Sequence, residues 1–78
     1  MSQRPGTRHV HHPRYQSFLA RLRDARLKAG LTQAEVARHL AKPQSYVAKS
    51  ESGERRVDVV ELHAFAKVYR RPLDFFVA

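Results

Sequence analysis

Apolar residues recur at helical spacing along most of the chain, and the first such stripe consists of Phe18, Leu19, Leu22 and Ala25. This spacing predicts a helix over about residues 14–29. Gly30 follows as a stop, because glycine tolerates the left-handed conformation that commonly ends a helix.

Two segments have the form of a capping box, in which a Thr or Asp side chain and a Glu three residues later each bond the other's backbone N–H. Thr32 and Glu35 form the first, and the helix that it opens ends near Ala41. Asp58 and Glu61 form the second. The helix after it carries an apolar stripe of Leu62, Phe65, Ala66 and Tyr69.

Proline and glycine set the limits of the remaining elements. Pro43 fits the first turn of a third helix over about 43–52, which stops at Gly53. Pro72 ends the fourth helix, and residues 73–77 form a short fifth. Since no stretch alternates like a strand, the chain is predicted to be all-α, a compact bundle of four to five helices.

Composition narrows the class of protein. The 78 residues are 42% hydrophobic, which is too apolar for a wholly disordered chain, and they include no cysteine for a disulfide or a Cys-based zinc site. No apolar run approaches the ~20 residues of a membrane span, and the N-terminus lacks the apolar centre of a signal peptide. A cytoplasmic protein is therefore expected. The formal charge of +8 favours a polyanionic partner, nucleic acid first and an acidic membrane or protein second.

The N-terminal segment has little apolar content. Residues 1–13 are predicted to be a flexible basic arm that precedes one domain over 14–78. The arm's arginines leave two possibilities open, insertion into a DNA minor groove or weak attraction to DNA as a tail. His9, His11 and His12 have no Cys or clear carboxylate partner, so no metal site is expected.

The second and third predicted helices are short and separated by only two or three residues. So tight a pair crosses steeply, as in a helix-turn-helix. Val47 and Ser50 then face inward, and the start of the third helix faces outward. The exposed face consists of Gln44, Ser45, Ala48 and Lys49.

This exposed face has the chemistry of a major-groove reader. The groove admits one helix, Gln can bond both N6 and N7 of adenine, and Lys can donate to guanine. Gln33 begins the second helix, where the positive end of the helix dipole favours phosphate. Arg55 and Arg56 follow the third helix, where docking would bring them near the DNA backbone.

The segment AGLTQAEVARHLAKPQSYVAKSESGERR, residues 29–56, resembles the phage repressor and Cro (XRE-like) family of helix-turn-helix regulators. The positions that match the family pattern without a gap are Gly30, Leu31, Thr32, Gln33, Ala37, Gln44, Ser45, Val47, Glu51 and Gly53. The resemblance implies a lambda repressor-like DNA-binding domain. It implies base contacts from Gln44, Ser45 and Lys49. It also implies phosphate contacts from Gln33 and from the loop with Arg55 and Arg56, and it leaves Tyr46 to either a phosphate or a thymine methyl.

Two opposite charges fall on inward faces. Arg26 continues the apolar stripe of the first helix, and Glu51 continues that of the third. Because an unpaired buried charge is very costly, and because the family has a bridge at these positions, Arg26 and Glu51 are predicted to pair.

Three residues depart from the family pattern. Ser50 replaces a large apolar residue, so either the core is thin there or its hydroxyl bonds the backbone. Pro43 removes a side-chain cap, and Arg70 stands where a helix-ending glycine is common. These departures affect local stability and leave the reading face intact.

These observations predict a sequence-specific, double-stranded DNA-binding transcriptional regulator, a repressor in the first instance. A homodimer on a palindromic operator is expected, with Phe75 and Val77 as the candidate dimer interface. The alternative is an antitoxin or other interaction module that binds a protein such as a toxin or polymerase through an exposed apolar C-terminal surface. No enzyme or cofactor is predicted, since no serine has a His/Asp arrangement for nucleophilic catalysis.

Overall fold

The computed structural model describes residues 12–77, and this part of the chain contains five helices and no strand. The helices are α1 (Pro13–Lys28), α2 (Gln33–Leu40), α3 (Gln44–Ser52), α4 (Val59–Tyr69) and α5 (Leu73–Val77). The predicted all-α bundle is confirmed, and each helix lies within about one residue of its predicted limits.

The first helix begins earlier than the sequence suggests. Pro13 lies in its first turn, and His12 caps it by accepting the backbone N–H of Arg14 on Nδ1 at 3.1 Å. His12 and Pro13, assigned to the arm from the sequence, therefore belong to α1 and its cap. The rest of the predicted arm, with His9 and His11, lies outside the described residues.

Both predicted capping boxes are present. Thr32 Oγ1 accepts the N–H of Glu35 at 3.1 Å, and Glu35 Oε1 accepts the N–H of Thr32 at 2.8 Å. Asp58 and Glu61 make the same reciprocal bonds at 2.7 and 3.0 Å. The Thr32 N–H, followed by the Thr32 hydroxyl, holds the pKa of Glu35 below its usual range. Each box satisfies two backbone donors that a helix start leaves unpaired.

The helix ends depend on left-handed residues. Gly30 and Gly53 have φ of +74° and +86°, as their positions predict. Ala41 and Arg70 adopt the same region with φ of 56° and 59°. Because a side chain in this conformation costs roughly 1 kcal/mol, the two tight turns are held by the packing of the helices on either side.

The core lies between α1, α4 and α5 on one side and the α2–α3 pair on the other. Its fully buried apolar side chains are Leu22, Ala25, Val36, Val47, Phe65 and Phe76. Ser50 is also fully buried, and its hydroxyl donates to the carbonyl of Tyr46 at 2.7 Å. The hydroxyl is therefore satisfied by backbone. As expected, Pro43 provides no side-chain cap for α3.

An ion pair joins α1 to α3 inside this core. The guanidinium of Arg26 donates from Nε to one carboxylate oxygen of Glu51 at 2.6 Å and from Nη2 to the other at 3.1 Å. Its Nη1 donates to the carbonyl of Leu31 at 3.0 Å. The Arg26 and Glu51 side chains are only 10% and 5% exposed. The pair expected from the two inward faces thus fixes α3 against α1.

Among the described residues, the hydroxyl of Tyr69 is the one buried side-chain polar group that has no hydrogen-bond partner. Tyr69 is buried, its hydroxyl has no hydrogen-bond partner, and burial raises its pKa. We expect Tyr69→Phe to leave the free energy of unfolding unchanged or to raise it, because an unpaired hydroxyl leaves the interior.

Tyr15→Phe is the matched control, since the Tyr15 hydroxyl accepts the N–H of Val57 at 3.1 Å. Its loss should lower the free energy of unfolding by about 0.5–1.5 kcal/mol in urea denaturation. A loss of stability in Tyr69→Phe as large as that in Tyr15→Phe would contradict the assignment of an unsatisfied hydroxyl.

The first capping box also predicts a pH dependence. The folded-state pKa of Glu35 lies below its unfolded value, so its carboxylate stabilises the fold above that value and the effect is lost as the pH falls through the folded pKa. Glu35→Gln should therefore be less stable than the native chain at pH 7, and the difference should shrink below about pH 4. Urea unfolding at a series of pH values tests this; a constant difference down to pH 3 would contradict it.

Candidate nucleic-acid interface

Helices α2 and α3 form a helix-turn-helix whose second helix has one buried and one exposed side. Val47 and Ser50 are fully buried, whereas Gln44, Ser45 and Lys49 are exposed. The exposed side of α3 therefore carries the residues that the sequence assigned to base contacts. Ala48, also placed on this face, is half-buried.

The amides of Gln33 and Gln44 belong to a polar chain that starts in the core. Gln33 donates from Nε2 to Glu51 Oε1 at 3.0 Å, and Gln44 donates from Nε2 to Gln33 Oε1 at 3.5 Å. Gln33 is half-buried at the first turn of α2. The structure thus brings together Gln33, which the sequence assigned to phosphate, and Gln44, which it assigned to a base.

Tyr46 has a packing role that the sequence did not reveal. Its ring stacks on the buried ring of Phe65, with centroids 6.1 Å apart and an interplanar angle of 16°. The guanidinium of Arg55 lies 4.2 Å from the ring centroid, and Lys42 Nζ lies 5.2 Å from it. Burial raises the pKa of the Tyr46 hydroxyl. Because the ring is covered by the core and by a cation, Tyr46 has less freedom than the other assigned residues to move toward DNA.

Arg55 is held by a carboxylate of the next helix. Its Nη2 donates to Glu61 Oε2 at 2.6 Å and its Nη1 to Glu61 Oε1 at 3.2 Å, and Nη1 also lies 3.4 Å from Ser50 Oγ. The Arg55 guanidinium, followed by the Asp58 N–H, holds the pKa of Glu61 below its usual range. Much of the Arg55 charge is therefore balanced within the protein.

Arg56 differs from its neighbour. It is exposed, and its guanidinium lies 5.4 Å from the ring centroid of Tyr15. No salt bridge to Arg56 occurs within residues 12–77. Of the two arginines that the sequence assigned to phosphate, Arg56 has the more available charge.

The C-terminal end is only partly as expected. Val77 is 68% exposed, but Phe75 is half-buried, with its ring 5.2 Å from Phe76 and 5.1 Å from the Arg71 guanidinium. The sequence did not single out Val59 and Val60, which are exposed by 70% and 76% at the start of α4. Val59 and Val77 line a groove of about 910 Å³ between the first turns of α1 and α4 and the end of α5.

Residues 12–77 offer neither a metal site nor a membrane span. No group of three His, Asp or Glu residues there is arranged to hold a metal ion. Among the five helices, none is both long and apolar enough to cross a membrane.

Comparison with known sequences identifies the domain. No curated protein matches the chain. The profile of a family described as "Helix-turn-helix domain" matches residues 17–74, which is most of the sequence and runs from α1 into α5. With α2 and α3 in the geometry described above, the chain belongs to the helix-turn-helix domain family of XRE-like DNA-binding regulators.

Proposed function

We propose that this protein is a sequence-specific, double-stranded DNA-binding transcriptional repressor that reads the major groove with α3. The observation that supports this most directly is the division of α3 into two sides. Val47 and Ser50 anchor the helix, and Gln44, Ser45 and Lys49 lie on its exposed side. A B-DNA major groove is ~12 Å wide and admits one helix, so the exposed side of α3 can face the base edges.

The hydrogen-bond donors and acceptors on the exposed side of α3 determine which bases this helix can recognise. The Gln44 amide can accept from adenine N6 and donate to N7, and Lys49 can donate to guanine O6 or N7. Ser45 both donates and accepts, so it discriminates less. The three contacts together read a few base pairs on one face of the duplex.

Phosphate contacts orient the helix but carry no sequence information. The N-terminus of α2, where Gln33 lies, offers backbone N–H groups and a partial positive charge to the DNA backbone. Arg56 provides a charge without a salt bridge among the described residues, and Arg55 and Tyr46 remain proposed contacts beside it. The formal charge of +8 on the whole chain favours association with DNA.

Selectivity in a genome requires more base pairs than one helix reads. We therefore propose a homodimer on a palindromic operator, with half-sites about 34 Å apart or a multiple of this. Val77, with Phe75 beside it, remains the candidate dimer interface, and Val59, which lines the same groove as Val77, extends the exposed apolar area. Repression would follow from occupancy of a promoter.

A second candidate function rests on that same apolar area. Exposed Val59 and Val77 could instead bind a toxin or another protein, as in an antitoxin. The two candidates are separated by Val77→Asp. Loss of a protein complex with DNA affinity retained would favour the interaction module, whereas loss of dimerisation together with operator affinity would favour the regulator.

Selection of bound duplexes from a random pool tests the main proposal. We expect a palindromic consensus. On that operator, Gln44→Ala and Lys49→Ala should each weaken binding by about 1–3 kcal/mol and flatten the preference at one base pair per half-site. Equal losses on operator and random duplexes, or a pool without consensus, would contradict base reading.

The salt dependence of binding tests the phosphate contacts. Arg56→Ala should weaken binding to operator and random duplexes alike and reduce the salt slope by about one unit, because one phosphate contact is lost. Arg23→Ala is the matched control, since Arg23 is an exposed arginine on α1, outside the helix-turn-helix and its following loop. A slope that changes as much in Arg23→Ala would remove Arg56 from the contacts.

A further inference from the structure

Glu51 is the buried start of a chain of side chains that ends at the exposed tip of α3. Its carboxylate is 5% exposed and accepts from Arg26 at 2.6 and 3.1 Å and from Gln33 at 3.0 Å. Gln44, at the tip, donates to Gln33 at 3.5 Å, the longest contact of the chain. Glu51 lies too deep to touch DNA, yet it is two hydrogen bonds from a residue that faces the groove.

The chemistry of Glu51 determines the direction of both bonds. A carboxylate in an ion pair only accepts, so Gln33 must turn its NH2 group inward. The Gln33 oxygen is then directed toward Gln44, so Gln44 must donate an N–H to it. Each amide in the chain could otherwise be rotated by half a turn, since its oxygen and nitrogen are close in size.

The orientation of Gln44 matters for the base that it can read. With one N–H directed to Gln33, the other N–H and the oxygen remain for DNA. Adenine presents one acceptor and one donor in the major groove, and guanine presents two acceptors. We infer that Glu51 is a positioning residue that sets the donor and acceptor order of Gln44 and thereby favours adenine over guanine at the base pair facing it. This inference rests on the proposed function.

Two variants remove the directing carboxylate. In Glu51→Gln the new amide can both donate and accept, so the chain loses its fixed direction. Because this leaves the Arg26 charge unbalanced and can prevent folding, the second variant, Arg26→Met with Glu51→Gln, removes that charge as well. Val47→Ala is the matched control, because it weakens the packing of the same helix without touching the chain.

The measurement is the affinity for operators that differ only by A·T or G·C at the pair facing Gln44, which the Gln44→Ala profile identifies. Each protein is measured at a temperature where circular dichroism shows it folded. We expect the adenine preference to fall about tenfold in both Glu51 variants, with the preference at the pair facing Lys49 unchanged. Val47→Ala should change neither ratio.

A second measurement needs no DNA. The side-chain amide protons of Gln33 should exchange with water more slowly than those of exposed Gln16, and this difference should shrink in the double variant, because a neutral amide at position 51 is a weaker acceptor than the carboxylate. Equal exchange in the native chain would overturn the inference.

Different results contradict the positioning role of Glu51 and the proposed DNA reading by α3. If Gln44→Ala removes the adenine preference but the folded Glu51 variants keep it, the inference is wrong and the proposed function stands. A uniform loss on all duplexes, matched by Val47→Ala, leads to the same conclusion. If Gln44→Ala leaves every preference intact, Gln44 reads no base and the inference is wrong, while the proposed function stands as long as Lys49→Ala still flattens a preference. If neither substitution changes a preference, both the inference and the proposed function are wrong.

Discussion

The position of α3 depends on one buried ion pair. Val47 is the only large apolar side chain of α3 that is fully buried, so hydrophobic packing alone constrains this helix weakly. Arg26 and Glu51 add two charge-assisted hydrogen bonds between α1 and α3. Arg26 also donates to the carbonyl of Leu31 and so holds the loop that precedes α2. A charge taken out of water is costly unless its partner is correctly placed. Arrangements in which α3 shifts or rotates are therefore penalised, and its exposed side keeps one orientation.

Local chemistry explains which parts of the fold could be predicted from the sequence. The two capping boxes and the glycine stops each depend on a few neighbouring residues, and all are found where the sequence places them. The Arg26–Glu51 contact is long-range, but two inward-facing opposite charges have few alternatives. The left-handed Ala41 has no comparable sequence signal, because alanine is a good helix former and only the packing of α2 against α3 imposes its conformation.

The candidate site was less predictable, because partners from other helices decide the state of its side chains. The sequence places Arg55 just after α3, but it does not show that Glu61 on α4 pairs with it. Tyr46 lies next to the outward positions, yet its ring is stacked on Phe65. The formal charge of +8 is likewise an incomplete guide to the surface that meets a polyanion. Arg26 and Arg55 are balanced internally, so net charge overstates the number of cations that face a duplex.

Gln44 is bonded to the interior of the protein, whereas within residues 12–77 Ser45 and Lys49 are not, and this difference has an evolutionary consequence. Ser45 and Lys49 are exposed and make no side-chain bond to another described residue, so single substitutions at these two positions cost the fold little. Gln44 is joined through Gln33 to the interior. Under the proposed function, new operator preferences should thus arise first through Ser45 and Lys49, whereas a change of preference at Gln44 requires coordinated substitutions in two helices.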